Sequence, residues 1–286
     1  MAGDAQAPDA GESSSRALVG GRNLPVAIAV GVVLGGLFLA ALFWDPIAFT
    51  AVVAVVMIVA FIESDRVLTP VGYPLQVPVL LFTVLTISFG TYLLGHVGQL
   101  AGVLVLLFGA VLWQLIEGEG RAAVRTMATT VFFGLWVGFL GSFAVLLVQR
   151  PAVGPLAVLA VIGAAILSDI GGYAFGVTLG RHKLAPRVSP NKTWEGLLGG
   201  LVVATAAGAI VLPLLDERFT SPLGALIAGS AAIASVIGDL AESMVKRDLG
   251  VKDLGDVLPG HGGVLDRVDG ILFALPVGYV VAVLVL

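Results

Sequence analysis

Nine stretches of about twenty apolar residues follow one another through the chain, and this succession limits the possible folds more than any other feature. With 58% hydrophobic and 12% charged residues, the chain is too apolar to cover itself with polar surface, so lipid is its expected solvent. The sequence therefore predicts an all-α, polytopic membrane protein. The predicted spans are 24–44, 46–62, 77–95, 97–116, 127–148, 153–180, 196–215, 222–246 and 270–286.

The basic residues predict the orientation of this bundle. Lysine and arginine concentrate in the cytoplasmic connections of membrane proteins. With nine spans, every lysine and arginine except Arg150 and Arg218 falls on the side that holds the N-terminus. We therefore expect a cytoplasmic N-terminus and an external C-terminus. Residues 1–23 lack a hydrophobic period and predict a disordered cytoplasmic tail. The first span exceeds a signal-peptide core in length and predicts an uncleaved helix.

Polar residues divide the chain into two regions. Residues 24–150 hold almost purely apolar spans and predict an N-terminal transmembrane scaffold. Residues 151–286 carry polar groups inside the spans and predict a C-terminal catalytic region. No internal repeat is visible, which weighs against transporters built from duplicated halves. The chain has no cysteine, which excludes thiolate metal sites, and its net charge of −4 argues against a nucleic-acid partner.

One carboxylate, Asp169, lies deep inside a predicted span. A charge there costs about 2.5–3.5 kcal/mol on insertion scales, so the side chain is expected to face the bundle interior or a water-filled cavity. A functional carboxylate and a buried hydrogen-bonding group both fit this position. Gly172, Gly176 and Gly180 follow at intervals of four and predict close packing against another helix.

A basic connection follows, from Arg181 to Trp194. It ends with hydroxyl, amide and ammonium groups immediately before the next predicted helix. Such groups near a helix N-terminus can bind an anion, and they are equally typical of helix capping, so the spacing leaves both interpretations open. The candidate residues are Ser189, Asn191, Lys192 and Thr193.

The densest set of polar residues begins near the end of the eighth predicted span. Asp239, Glu242, Ser243 and Lys246 are spaced to form one stripe on a helix, and Arg247 extends this stripe toward solvent.

The next connection holds Lys252, His261, Asp266, Arg267 and Asp269 among several glycines. Hard carboxylate oxygens suit Mg²⁺, which commonly binds one or two carboxylates together with substrate phosphates. Two classes of function fit these residues: a Mg²⁺-dependent enzyme acting on a phosphorylated substrate, and a cation-coupled transporter. The clustering in short connections on one face favours the enzyme. No Walker-type loop occurs, which excludes a P-loop ATPase.

These motifs resemble the signature of the phosphatidate cytidylyltransferase family, also called CDP-diacylglycerol synthases. The resemblance is specific from about 165 to 270, and one departure is Gly172, where the family usually has alanine before the tyrosine. The matching positions are Ser243 to Arg247, Lys252, Asp253, Gly255, Leu258, Pro259, His261 to Gly263 and Asp266 to Asp269, with a second block at Asp169, Tyr173, Gly176, Gly180, Lys183 to Pro186, Ser189, Pro190 and Lys192 to Gly196.

The resemblance implies transfer of CMP from CTP to phosphatidate, giving CDP-diacylglycerol and pyrophosphate. It implies Mg²⁺ as cofactor and is compatible with a second, monovalent cation such as K⁺. A site facing the cytoplasm from the cell membrane is implied as well, and a homodimer is compatible with the glycine-rich helices. A related enzyme acting on an ether-lipid phosphate or a polyprenol phosphate remains an alternative.

The resemblance also implies roles for individual residues. Lys246, Arg247, Asp266 and His261 are the implied catalytic residues, with proton handling or phosphate binding for His261, whose alternative is a loop-ordering hydrogen bond. Asp239 and Asp266 are the leading metal ligands, followed by Asp269 and Asp169. The implied substrate-binding residues are Ser189, Asn191, Lys192, Thr193, Ser243, Lys252 and Arg267.

Overall fold

A computed structural model describes residues 24–117, 122–257 and 262–285, and the regular elements among these residues are helices and one short hairpin. The helices are α1 (Leu24–Trp44), α2 (Pro46–Leu68), α3 (Val77–Leu94), α4 (His96–Glu117), α5 (Ala123–Phe133), α6 (Leu140–Val148), α7 (Gly154–Leu179), α8 (Trp194–Leu215), α9 (Ser221–Asp248) and α10 (Leu265–Val285). The strands are β1 (Lys183–Ala185) and β2 (Ser189–Thr193), which pair antiparallel.

The prediction of a polytopic all-α membrane protein is confirmed. In the described part of the chain, eight helices are long and apolar enough to cross a membrane, with Ala123–Val148 counted as one, and α1 adds the shorter apolar stretch Ala29–Trp44. Many large apolar side chains are exposed along these helices, as lipid contact allows. The orientation of the bundle stays a prediction, and the tail 1–23 lies outside the described residues.

The two largest boundary errors, of six and five residues, both lie at charged residues. The second span was predicted to end at 62, but α2 continues to Leu68 with Glu63 and Ser64 buried inside the bundle. The last helix was predicted to begin at 270, but α10 begins at Leu265, so Asp266 and Asp269 belong to its first turns. In both places tertiary hydrogen bonds stabilise charged residues within a helix.

The sharp breaks between neighbouring helices lie where the sequence predicts them. Asp45 caps α2, its Oδ1 accepting a hydrogen bond from the N–H of Ile47 at 2.8 Å, and Pro46 begins the helix. Gly95 has φ of 59° between α3 and α4. The two helices then pack closely, because a Cβ at Gly98 would lie 1.8 Å from the carbonyl oxygen of Gly90.

The fifth span is not a uniform α-helix. Gly134–Phe139 form a π-helical segment between α5 and α6. Such segments are rare in proteins, and those that occur are often found near functional sites. The indole ring of Trp136 in this segment makes an edge contact with Phe273 of α10, with ring centroids 6.4 Å apart. The segment therefore connects the N-terminal helices to α10.

Helices α7 to α10 form one closely packed group. A Cβ at Gly200 would lie 2.3 Å from the carbonyl oxygen of Ser168, and one at Gly196 would lie 2.7 Å from that of Gly172. The same seam continues to Gly180, where a Cβ would lie 2.9 Å from both Oγ1 and Cγ2 of Thr193. The predicted packing role of the glycines in α7 is therefore confirmed, since the backbones of α7 and α8 are in contact.

Candidate active site

Lys246 lies at the centre of a charged cluster at the C-terminal end of α9. Its Nζ donates to Glu242 Oε2 at 2.6 Å and to Asp266 Oδ1 at 2.9 Å. Only 16% of the Lys246 side chain and 2% of the Glu242 side chain are exposed. Glu242 precedes Lys246 by one helical turn, whereas Asp266 comes from α10. The lysine therefore connects two helices through two ionic hydrogen bonds.

Asp266 also organises the connection between α9 and α10. The N–H of Leu254 donates to both of its carboxylate oxygens, at 3.2 and 3.1 Å, and the N–H of Gly263 donates to Oδ2 at 3.2 Å. The glycine is needed, because a Cβ at position 263 would lie 2.6 Å from Asp266 Oδ2 and 2.8 Å from the backbone of Gly255. One carboxylate thus orients the connection and holds Lys246.

The connection between α7 and α8 is a β-hairpin, a structure that the sequence did not predict. Thr193, the last residue of β2, caps α8, since its Oγ1 accepts the N–H of Gly196 at 3.1 Å. Glu195 accepts from the N–H groups of Arg181 and His182 and contacts the His182 ring nitrogen at 2.5 Å. These bonds fasten the start of the hairpin to the first turn of α8.

An ion pair joins the hairpin to α9. Lys192 forms an ion pair with Asp239, whose Oδ1 also accepts a hydrogen bond from Ser243 at 3.4 Å. This pair borders a cavity of about 520 Å³ between α7, α8, α9 and the hairpin, a volume in the range of small-ligand sites. Its polar lining brings together five of the predicted site residues, namely Asp169, Asn191, Lys192, Thr193 and Asp239. The expectation that Asp169 faces a cavity is confirmed.

The predicted metal ligands do not converge on one point. Among the described residues, no group of three His, Asp or Glu side chains forms a ready-made metal site. The carboxylates of Glu242 and Asp239 nevertheless both lie close enough to Asp269 to interact with it electrostatically. Glu242 Oε1 is buried, and no hydrogen-bond donor of the described chain reaches it. A surplus of carboxylate oxygens fits a bound cation.

The remaining predicted residues lie around this cluster. Arg247 donates to the carbonyl oxygen of Val188 at 3.4 Å and so ties α9 to the hairpin. Ser189 begins β2 opposite Ala185 and is half-buried. Lys252 in the α9–α10 connection and Arg267 in the first turn of α10 are exposed. His261 lies outside the described residues.

Sequence reasoning missed Glu63 of α2, which reaches the site from the N-terminal region. Its carboxylate accepts the N–H groups of Val257 and Val264, both at 2.6 Å. The side chain is buried, although the residue stands where the apolar stretch of the second span ends. A charged residue at such a boundary is usually assigned to the connection, so only the three-dimensional contacts reveal it.

The fold and the cluster together define a class: a polytopic membrane protein with paired lysines and carboxylates gathered beside a cavity at one end of the bundle. The chain belongs to the Cytidylyltransferase family, whose model matches residues 25–285. It is 41% identical to a phosphatidate cytidylyltransferase of Mycobacterium leprae over 88% of this chain and 85% of that protein.

Two further relatives carry the same name. A phosphatidate cytidylyltransferase of Mycobacterium tuberculosis is 38% identical over 92% of this chain and 84% of that protein. One from Pseudomonas aeruginosa is 38% identical over 64% of this chain and 69% of that protein. The family match therefore extends from α1 to α10, beyond the C-terminal motifs that carry the sequence resemblance.

Proposed function

We propose that this protein transfers CMP from CTP to phosphatidate, forming CDP-diacylglycerol and releasing pyrophosphate in phospholipid biosynthesis. The supporting observation is the site itself: Lys246 held between Glu242 and Asp266, next to the Lys192–Asp239 pair and its cavity. The family membership and the shared name of the relatives support the substrates.

The reaction joins two anions, so its first requirement is charge neutralisation and alignment. Lys192, Lys246 and Arg247 come from two different elements and are assigned to the phosphates of CTP and of the lipid. Ser189 and Ser243 donate hydrogen bonds to phosphate oxygens in this scheme, and Asn191, Thr193, Lys252 and Arg267 complete the substrate contacts. The cavity beside Lys192 offers room for the nucleotide.

In the chemical step, a phosphate oxygen of phosphatidate attacks the α-phosphorus of CTP. The new oxygen–phosphorus bond forms as the bond between the α-phosphorus and the bridging oxygen breaks, and pyrophosphate leaves with that electron pair. A phosphate monoester has its second pKa at about 6, so the nucleophile is already largely ionised near neutral pH. No covalent enzyme intermediate is needed, and electrostatic alignment is the main catalytic contribution.

Mg²⁺ fits the carboxylate-rich part of the site, and its role would be to neutralise phosphate charge. Asp239 and Asp266 would hold it as the leading ligands, with Asp269 and Asp169 as further ligands, beside the buried Glu242 Oε1 that no donor among the described residues reaches. A second, monovalent cation such as K⁺ is compatible with the same surplus of carboxylates.

The concentration of basic residues on one side supports our proposal that this site faces the cytoplasm from the cell membrane. CTP is a cytoplasmic metabolite in this scheme, and phosphatidate reaches the site from the surrounding lipid. A homodimer is compatible with the glycine-rich helices.

Purified protein in detergent, given CTP, Mg²⁺ and phosphatidate, tests the proposal through pyrophosphate release. We expect turnover with phosphatidate and much less with a polyprenol phosphate or an ether-lipid phosphate. Preference for one of these lipids would change the substrate while keeping the chemistry. If no lipid phosphate supports pyrophosphate release, the enzyme assignment is wrong, and ion flux in proteoliposomes would then test the transporter alternative.

A further inference from the structure

Glu63 is a buried carboxylate whose position in the sequence gives no hint of its contacts. Its residue exposure is 2%, and no lysine, arginine or histidine among the described residues forms an ion pair with it. Burying an unpaired charge is costly, and an apolar side chain would pack in the same place without that cost. Its presence therefore needs an explanation from the hydrogen bonds that it makes.

Those hydrogen bonds join two distant parts of the chain. Glu63 Oε1 accepts the N–H of Val257, 194 residues later, and Oε2 accepts the N–H of Val264, 201 residues later, both at 2.6 Å. Bonds from N–H groups to an ionised carboxylate are short and about twice as strong as neutral ones. Each oxygen therefore fixes one end of the segment between Val257 and Val264, the segment that carries His261.

The residues packed around the Glu63 carboxylate leave it little room to adopt another position. A Cβ at Gly255 would lie 2.5 Å from Glu63 Cδ and 2.6 Å from Oε1. Leu254 within the connection and Leu265 at the start of α10 are fully buried in one apolar cluster with Phe61 and Leu68 of α2. The connection is thus pressed against α2 by apolar contacts and held in register by the Glu63 carboxylate.

Glu63 and Asp266 accept hydrogen bonds from different backbone N–H groups of the connection. Asp266 accepts the N–H groups of Leu254 and Gly263, and Glu63 accepts those of Val257 and Val264. Because Asp266 also holds Lys246, movement of the connection would shift the lysine at the centre of the cluster.

We propose that Glu63 is a positioning residue: it clamps the α9–α10 connection against α2 and thereby fixes the Asp266–Lys246 pair for catalysis. This inference rests on the proposed function for its kinetic consequence, but the clamp itself can be measured without turnover. It also gives the N-terminal region a direct part in shaping the site.

The experiment uses the full-length protein, which has no cysteine of its own. A nitroxide attached to Asp256→Cys, an exposed position beside Gly255, reports the mobility of the connection by EPR. Glu63→Gln and Glu63→Ala are compared with Ser64→Ala, a neighbouring buried residue whose hydroxyl has no partner in the described structure. We expect a mobile spectral component in both Glu63 variants and the unchanged spectrum in Ser64→Ala.

We expect kcat to fall by about 10–100-fold in Glu63→Gln, which is the effect typical of a residue that orients a ligand-binding side chain. The KM for CTP should change little. A residue that only stabilises the fold would lower the unfolding temperature while leaving the kcat of the folded protein and the label mobility unchanged. That result would overturn the proposal. If the unsubstituted protein releases no pyrophosphate, the proposed function fails, and the EPR comparison still decides the clamp.

Gly255→Ala supplies a second test if Glu63→Ala folds poorly. Its added methyl group would displace the Glu63 carboxylate in the native protein, so we expect the mobile component there as well. In the Glu63→Gln background the same substitution should add little, because the clamp is already weakened. Full additivity of the two effects on kcat would show that Gly255 and Glu63 act separately and would contradict the clamp.

Discussion

The buried polar groups of the two regions behave differently. From α2 to α6 they are mostly neutral hydroxyls and amides, as in the bond from Gln99 Nε2 to Ser142 Oγ at 2.8 Å. From α7 to α10 they include a shared charged cluster, with Lys246 between Glu242 and Asp266. Neutral hydrogen-bonded pairs specify how helices pack. The charged side chains of a shared cluster can also release a protein partner and bind a substrate group in its place. Glu63 departs from this division, since it lies in the first region and serves the second.

The largest expected effect is that of Asp266→Asn. Asparagine keeps one acceptor oxygen, so it cannot both hold Lys246 and accept the N–H groups of Leu254 and Gly263. We expect turnover to fall by about 10²–10³-fold, measured as pyrophosphate release. Asp248→Asn, an exposed carboxylate at the end of α9, serves as the control and should retain activity. Near-normal turnover of Asp266→Asn would reject its place in the site.

Lys246→Met tests whether the charged cluster is a unit. Removing the lysine leaves the buried Glu242 without its cation, and breaking a buried pair costs about 3–5 kcal/mol of stability. We expect a much lower unfolding temperature in detergent and loss of pyrophosphate release. Lys246→Met combined with Glu242→Gln should regain most of the stability and none of the activity. If the double variant also regains activity, the lysine does not contact substrate.

The glycine seam gives a smaller effect that separates packing from chemistry. Gly200→Ala places a methyl group 2.3 Å from the Ser168 carbonyl oxygen and forces α7 and α8 apart. We expect a loss of about 1–3 kcal/mol in unfolding free energy. In Gly163→Ala the added methyl group meets nothing within 4 Å, so this matched variant of α7 should be neutral or slightly stabilising. Equal stabilities of the two variants would contradict the described seam.

Thr193→Val is expected to have the smallest effect. It removes the hydroxyl that caps α8 and should cost about 1 kcal/mol, measured by thermal unfolding. Thr193→Ser retains the cap and should keep the stability. If Thr193→Val also raises the KM for CTP while Thr193→Ser does not, the hydroxyl contributes to the substrate site as well. An unchanged unfolding temperature in Thr193→Val would contradict the cap.

Much of the fold could be predicted because a membrane span has a fixed length and a simple composition. The helix breaks at Asp45–Pro46 and near Gly95 followed from local backbone rules. The boundary at Glu63 and the start of α10 at Leu265 could not be predicted, because contacts between residues about 200 positions apart stabilise them.

The candidate site shows the same limit. The helical spacing of Asp239, Glu242 and Lys246 was enough to predict one stripe, and this spacing held. The ion pair of Lys192 with Asp239 and that of Lys246 with Asp266 depend on how separate elements dock. The hairpin was missed because a basic connection between two spans carries no alternating apolar pattern that would predict strands.

The 194 residues between Glu63 and its first hydrogen-bond donor have a consequence for biogenesis. At synthesis rates of about 5–20 residues per second, the segment that contains Glu63 is made roughly 10–40 s before Val257 exists. During that interval the carboxylate at the end of α2 has neither of its N–H partners. The connection between α9 and α10 therefore completes the polar contacts of an early helix, and a protein truncated before Val257 would lack both N–H partners of Glu63.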